Sequence, residues 1–104
     1  MVDEPLKVNP DGEYRCRCVQ RHIPAPRELH RHHVWPTGEG GPNIAANLLY
    51  LCPTSHASAH RLWREYAKVG GEPVWEVRKI YSPYVRKIVA RGWAQARAAA
   101  SPSL

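Results

Sequence analysis

Five of the six histidines of this chain lie between positions 30 and 60, a clustering that core packing does not require. Within this set, His56 and His60 are four residues apart. On a helix, that spacing places both imidazoles on one face about one turn from each other, so both can reach the same cation. The spacing therefore predicts a two-histidine clamp for a metal ion.

A further ligand must come from outside that helix, and the segment His30-Arg31-His32-His33 can supply it. Side chains alternate between the two faces of a strand, so we expect His32 and His33 to point in different directions. One imidazole can then bind the ion while its neighbour acts as a general base on water. The alternative is a structural zinc site in which His32, His56 and His60 tie the helix to the strands without catalysis.

Two strands are expected to position this cluster. Residues 29–35 alternate in character and end at Pro36, and residues 47–52 form a second apolar run of strand length. The stretch 37–42 between them is rich in Gly and Pro, which indicates a loop. The pattern predicts a hairpin with a long connection.

Helices are predicted to follow the hairpin. Residues 53–69 begin with Pro-Thr-Ser and carry apolar side chains at helical spacing until Gly70-Gly71 stops them. A second helix is predicted from Glu72 to about Tyr81, and a third from Ser82-Pro83 to about Arg91. Because Phe is absent, we expect the four tryptophans to pack in the core.

The chain of 104 residues is expected to hold one domain. Residues 1–13 are predicted to be a flexible arm, residues 14–93 the folded domain and residues 94–104 a frayed tail. A net charge of +6 and a pI near 9.6 favour a polyanionic partner. No run approaches the ~20 apolar residues of a membrane span, so we expect a soluble, cytoplasmic protein without membrane contact.

The histidines and the two predicted strands together resemble the motif of the HNH nuclease family over roughly residues 14–66. The resemblance is carried in order by His32-His33-Val34-Trp35-Pro36, Asn47-Leu48-Leu49-Tyr50-Leu51-Cys52, His56 and His60. It implies an α+β fold with a ββα-metal (His-Me finger) core, in which a hairpin packs on a metal-bearing helix and further helices follow at the C-terminus.

The resemblance also implies a role for each site residue. His32, His56 and His60 would bind the catalytic metal, and His33 would be the general base. Asn47 would brace the loop and help to orient that base. The all-histidine ligand set resembles the colicin-type branch of the family.

Members of the family often carry a second, structural zinc held by two Cys-x-x-Cys pairs. Here the first pair is Cys16-Arg17-Cys18, and Ser55 stands where the partner of Cys52 would be, so one thiolate is missing. The resemblance therefore suggests a structural zinc held by Cys16, Cys18, Cys52 and a histidine, with His22 the preferred fourth ligand and His30 the next.

The implied function is a metal-dependent endonuclease that hydrolyses DNA phosphodiester bonds, with one divalent cation, Zn²⁺, Ni²⁺, Mn²⁺ or Mg²⁺. Five arginines near the site are the candidates for holding the DNA backbone: Arg15, Arg17, Arg21, Arg27 and Arg31. Small proteins of this kind resemble phage and prophage products that process or package DNA beside a terminase-like partner in a bacterial host cell. The alternatives are a non-catalytic zinc-stabilised nucleic-acid-binding module and a partner-dependent nuclease subunit.

Overall fold

A hairpin followed by helices makes up the part of the chain that the computed structural model describes, residues 29–100. The elements are β1 (His30–His33), β2 (Leu48–Leu51), α1 (Pro53–Val69), α2 (Trp75–Arg78) and α3 (Pro83–Ala100). Two short 3₁₀ helices, Thr37–Glu39 and Ala45–Asn47, lie in the connection between the strands. The predicted α+β class is confirmed; the expectations for residues 1–28 and 101–104 lie outside the described residues.

The two strands pair antiparallel, with His32 opposite Leu49 and His33 opposite Leu48. Strand β1 is shorter than the predicted span of residues 29–35. The Val34 amide still donates to the Asn47 carbonyl oxygen at 2.9 Å, but the Trp35 amide donates to the Asn47 side-chain oxygen at 2.8 Å. The strand ladder ends because a side chain takes the place of the next backbone partner.

Helix α1 has the bounds that its sequence predicts. Cys52 caps its N-terminus, where the Ser55 amide donates to the Cys52 sulfur, and Pro53 occupies the first turn. At the other end Gly70 adopts a left-handed conformation with φ 73°, which glycine reaches without a steric penalty. Its amide donates to the Tyr66 carbonyl oxygen at 2.8 Å and closes the last turn.

Helix α2 is much shorter than the predicted span of residues 72–81, since it covers only Trp75–Arg78. Val74 before it is extended, and Ser82 after it precedes a proline, a position that disfavours helical backbone. Trp75 is 50% exposed, so the expectation that every tryptophan packs in the core is wrong at this residue. The guanidinium groups of Arg78 and Arg86 lie 5.4 and 4.8 Å from the centre of its ring.

Helix α3 runs to Ala100, past the predicted end near Arg91. Gly92 does not stop the helix; it is a contact point, because a Cβ atom there would overlap the Val34 carbonyl group. The Ala-rich stretch beyond it has high helix propensity and continues α3, so residues 94–100 are helical. None of the helices within residues 29–100 is long and apolar enough to span a membrane.

Two groups of buried side chains join the elements to α3. Leu29, Val34 and Leu51 of the hairpin region pack with Ile88, while Leu62 and its α1 neighbours pack with other α3 residues. The Trp63 and Trp93 rings contact each other edge to face, with their centres 5.2 Å apart. The Arg91 side chain also donates to the Ala46 carbonyl oxygen at 3.2 Å, which ties α3 to the interstrand connection.

Replacing Gly92 with alanine is expected to lower the free energy of unfolding by about 1–3 kcal/mol, the usual cost of overpacking. The added Cβ would press on backbone atoms of Val34, which cannot move aside as a flexible side chain would. Urea denaturation followed by circular dichroism measures the change.

The matched control is Gly71→Ala, because a Cβ atom at Gly71 meets nothing within 4 Å. We expect this variant to be neutral or slightly stabilising. Helix propensity alone would make Gly92→Ala stabilising by up to about 1 kcal/mol. A stabilised Gly92→Ala protein would therefore disprove the close approach of α3 to Val34.

Candidate metal centre

Three histidines from two elements converge on one point. His32 comes from β1, and His56 and His60 come from successive turns of α1. One ring nitrogen of each lies within 4.8 Å of the corresponding nitrogens of the other two. The three side chains are therefore close enough to bind one metal ion.

A fourth histidine lies beside this group. The His30 ring centre is 5.1 Å from the ring centre of His56, and the His32 ring centre is 5.3 Å from that same His56 ring centre. His30 and His32 are two residues apart on β1 and so share a face, the face toward α1. Strand alternation is the sequence signal for this neighbour of His56, whereas the resemblance suggests His30 as an alternative ligand of the structural zinc.

The ring nitrogens of this group fit a cation. His56 Nε2 and His60 Nε2 face each other at 3.0 Å, and two nitrogen ligands of a tetrahedral zinc are about 3.3 Å apart. His32 is only 6% exposed, and its buried Nδ1 has no hydrogen-bond partner among residues 29–100. Buried polar atoms without a partner are rare in folded proteins, and a metal site is one explanation for such an atom.

Burial favours the neutral form of two of the candidate ligands, His32 and His56. Burial, together with repulsion from the neighbouring His56, His60 and His33 rings, lowers the pKa of His32 to about 3. Burial also lowers the pKa of His56, with added repulsion from His60 and His30. Imidazole binds a metal in its neutral form, so at neutral pH His32 keeps a lone pair for an ion.

His33 takes a different position from His32, as the alternation of β1 predicts. Its side chain is half-buried and belongs to none of the ring contacts among the other four histidines. Its Nε2 lies 3.2 Å from the side-chain oxygen of Asn43 in the interstrand connection. Sequence reasoning missed Asn43, because a single Asn in a Gly- and Pro-rich loop carries no periodic signal.

Asn47 braces that same connection. Its side chain is 4% exposed and forms three hydrogen bonds. The side-chain oxygen accepts from the Trp35 amide, and the side-chain nitrogen donates to the Trp35 and Pro42 carbonyl oxygens. These bonds fix the backbone next to Asn43. Asn47 therefore influences His33 indirectly, by holding the loop, and the side-chain contact with the His33 ring comes from Asn43.

A pocket of about 180 Å³ opens beside the centre, with His32 and His60 in its wall. The rest of its lining is mostly apolar and includes Val34 and Trp63. Glu39 is the acidic residue among those that line it. A small group in this pocket would lie directly beside two of the three candidate ligands.

Other predicted site residues are only partly covered by the structure. Cys52 is buried at the start of α1, and Arg31 is exposed on β1. The remaining members of the structural-zinc and arginine sets lie outside the described residues: Cys16, Cys18, His22, Arg15, Arg17, Arg21 and Arg27. Those two sets stay predictions.

Comparisons of the chain with protein-family models, with curated proteins and with solved structures find no match. The candidate site is therefore defined by its own geometry.

Zn²⁺ at about 100 times its Kd is expected to raise the free energy of unfolding by about 2.7 kcal/mol, because the ion binds only the folded arrangement. His60→Ala should lose the part of this stabilisation that comes from the histidine centre. His60 is exposed, so its removal leaves the core intact. Urea denaturation with and without Zn²⁺ measures the effect.

The control for this experiment is His33→Ala, which removes an adjacent imidazole that is not one of the three grouped ligands. Its Zn²⁺ stabilisation should equal that of the unaltered protein. Equal stabilisation of His60→Ala and the unaltered protein would rule out the histidine centre as the binding site.

Asn47→Ala is expected to lower the free energy of unfolding by about 1–3 kcal/mol, because it leaves partly buried backbone groups of Trp35 and Pro42 without their Asn47 partner. Asn43→Ala is the matched control: Asn43 is exposed, so it should change stability little. Chemical denaturation of both variants makes the comparison. Similar small losses of stability in both variants would show that the Asn47 hydrogen bonds do not hold the interstrand connection in place.

Proposed function

We propose that this protein is a metal-dependent nuclease of the HNH type that hydrolyses phosphodiester bonds of DNA. The observation that carries the proposal is the separation of two adjacent histidines. His32 is buried among the candidate metal ligands, while His33 lies outside that group and contacts Asn43. A structural zinc site needs no such second imidazole beside its ligands.

His33 is suited to act as the general base. Asn43 offers its side-chain oxygen to His33 Nε2, and an oxygen can only accept, so this contact places the ring proton on Nε2. The lone pair is then on Nδ1. In the proposed reaction, Nδ1 takes a proton from water as the water oxygen attacks phosphorus, and the leaving 3′ oxygen departs with its bonding electrons.

His32, His56 and His60 would hold the cation. When bound, a divalent ion supplies electrostatic stabilisation of the charge that develops on the scissile phosphate and the leaving oxygen. Neutral imidazoles suit Zn²⁺ or Ni²⁺, and Mg²⁺ prefers oxygen ligands. The ligand set therefore favours a transition-metal ion.

Nucleic acid is the substrate class that the charge favours. The net charge of +6 attracts phosphates, and Arg31 lies exposed on β1 between the two histidines His30 and His32. Contacts of arginine with phosphate position a backbone without reading its sequence. We therefore propose weak sequence specificity, in keeping with a role in phage DNA processing beside a terminase-like partner.

Cleavage of supercoiled plasmid is the test of this proposal. Metal-stripped protein should be inactive and should nick the plasmid when Mn²⁺, Ni²⁺, Zn²⁺ or Mg²⁺ is added separately. His33→Ala should lose at least about 100-fold in rate, the lower end of what a general base contributes. Its Zn²⁺ binding should be unchanged, which separates loss of the base from loss of the ion.

Gly71→Ala, purified in the same way, should keep full activity and controls for losses caused by substitution or purification, since Gly71 lies in the turn after α1 and lines no part of the pocket. Full activity of His33→Ala would refute the assigned base. Absence of cleavage with every ion, together with salt-sensitive DNA binding, would instead indicate a zinc-stabilised binding module.

A further inference from the structure

His30 lies against the candidate metal ligands. Its Nδ1 is 2.9 Å from Nδ1 of His56, a hydrogen-bond distance, and the two rings stand at 86° to each other. The His30 side chain is exposed. Strand β1 places His30 on the same face as His32. His30 is not one of the three grouped candidate ligands.

Both ring nitrogens of His56 are engaged. Nδ1 faces His30 at 2.9 Å, and Nε2 faces His60 Nε2 at 3.0 Å. A neutral imidazole carries one N–H group and one lone pair, so the two contacts cannot be chosen independently. Whatever fixes the proton on one nitrogen of His56 also decides what the other nitrogen can bind.

Metal binding through His56 Nε2 requires the lone pair on that atom, so the proton must be on Nδ1. That N–H group points at His30 Nδ1, which can accept it while His30 keeps its own proton on Nε2. We infer that His30 is a positioning residue of the metal centre, which accepts a hydrogen bond from His56 and so fixes the tautomer and ring orientation that binds the ion.

Ligand histidines in proteins commonly donate their second N–H group to an acceptor that orients the ring, and loss of that acceptor typically weakens metal binding 10- to 100-fold. An imidazole acceptor performs this task without adding negative charge beside the ion. The inference rests on the metal centre of the proposed function and does not depend on DNA cleavage.

Three substitutions of His30 test the inference in the full chain. His30→Leu removes the acceptor, His30→Lys offers only donors, and His30→Asn places a carbonyl oxygen near the position of the imidazole Nδ1. The readout is the Zn²⁺ dissociation constant, measured by competition with a chromophoric chelator. Native mass spectrometry of the same samples gives the number of bound ions.

We expect about 10- to 100-fold weaker Zn²⁺ binding for His30→Leu and His30→Lys, and recovery of most of the affinity in His30→Asn. The number of ions should be the same in all four proteins. Unfolding of the metal-free variants checks that the exposed substitutions leave the fold intact.

Unchanged affinity in His30→Leu, or equal losses in His30→Asn and His30→Lys, would overturn the inference while leaving the metal centre standing. Loss of one bound ion in His30→Leu would also overturn it, because His30 would then be a ligand itself. If Zn²⁺ binding to the unaltered protein does not depend on His60, the metal centre fails, and the inference fails with it.

A spectroscopic readout separates positioning from general stabilisation. In long-range ¹H–¹⁵N spectra of the Zn²⁺-loaded protein, His56 should carry its proton on Nδ1 and His30 on Nε2. A proton on His30 Nδ1 would contradict the proposed direction of the hydrogen bond.

Discussion

The antiparallel pairing of β1 with β2 is the constraint on which the histidine cluster depends. Because side chains alternate along a strand, the pairing of His32 with Leu49 turns His32 and His30 toward α1 and turns His33 away. A slip of the strand register by one residue would turn His33 toward α1 and His30 and His32 away from it. The separation of a candidate metal ligand from a candidate base is thus a property of strand register, and the Asn47 side chain ends the backbone ladder at Trp35, two residues after His33.

Features that depend on neighbouring residues could be predicted from the sequence. The bounds of α1 follow from Pro53 in its first turn and from Gly70 after its end, and the spacing of His56 and His60 follows from the helical repeat. The opposite directions of His32 and His33 follow from the two-residue repeat of a strand. Each of these signals is local, so no knowledge of tertiary packing is needed to interpret it.

Features that depend on residues far apart in the sequence could not be predicted. Gly92 looks like a helix stop, yet it is a site of close contact with Val34, 58 positions earlier in the numbering. The Asn43 side chain reaches His33 only because the interstrand connection folds back on the strand end. Trp75 lies at the surface because α2 is a single short turn that covers no core. For Gly92 and Asn43 the deciding contact is tertiary, and the local residue pattern is the same with or without it.

The close approach of α3 to the hairpin has a consequence for protein engineering. The hairpin, with its interstrand connection, and α1 carry the candidate metal ligands, the candidate base and the two asparagines beside it, so they look like a transplantable minimal module. However, Val34 at the end of the hairpin strand is covered by α3 at Gly92, and the interstrand connection is held from the same helix by Arg91 through Ala46. A graft of the hairpin and α1 alone would expose that end of the hairpin to solvent. A host scaffold would have to supply a helix that packs against Val34 through a glycine.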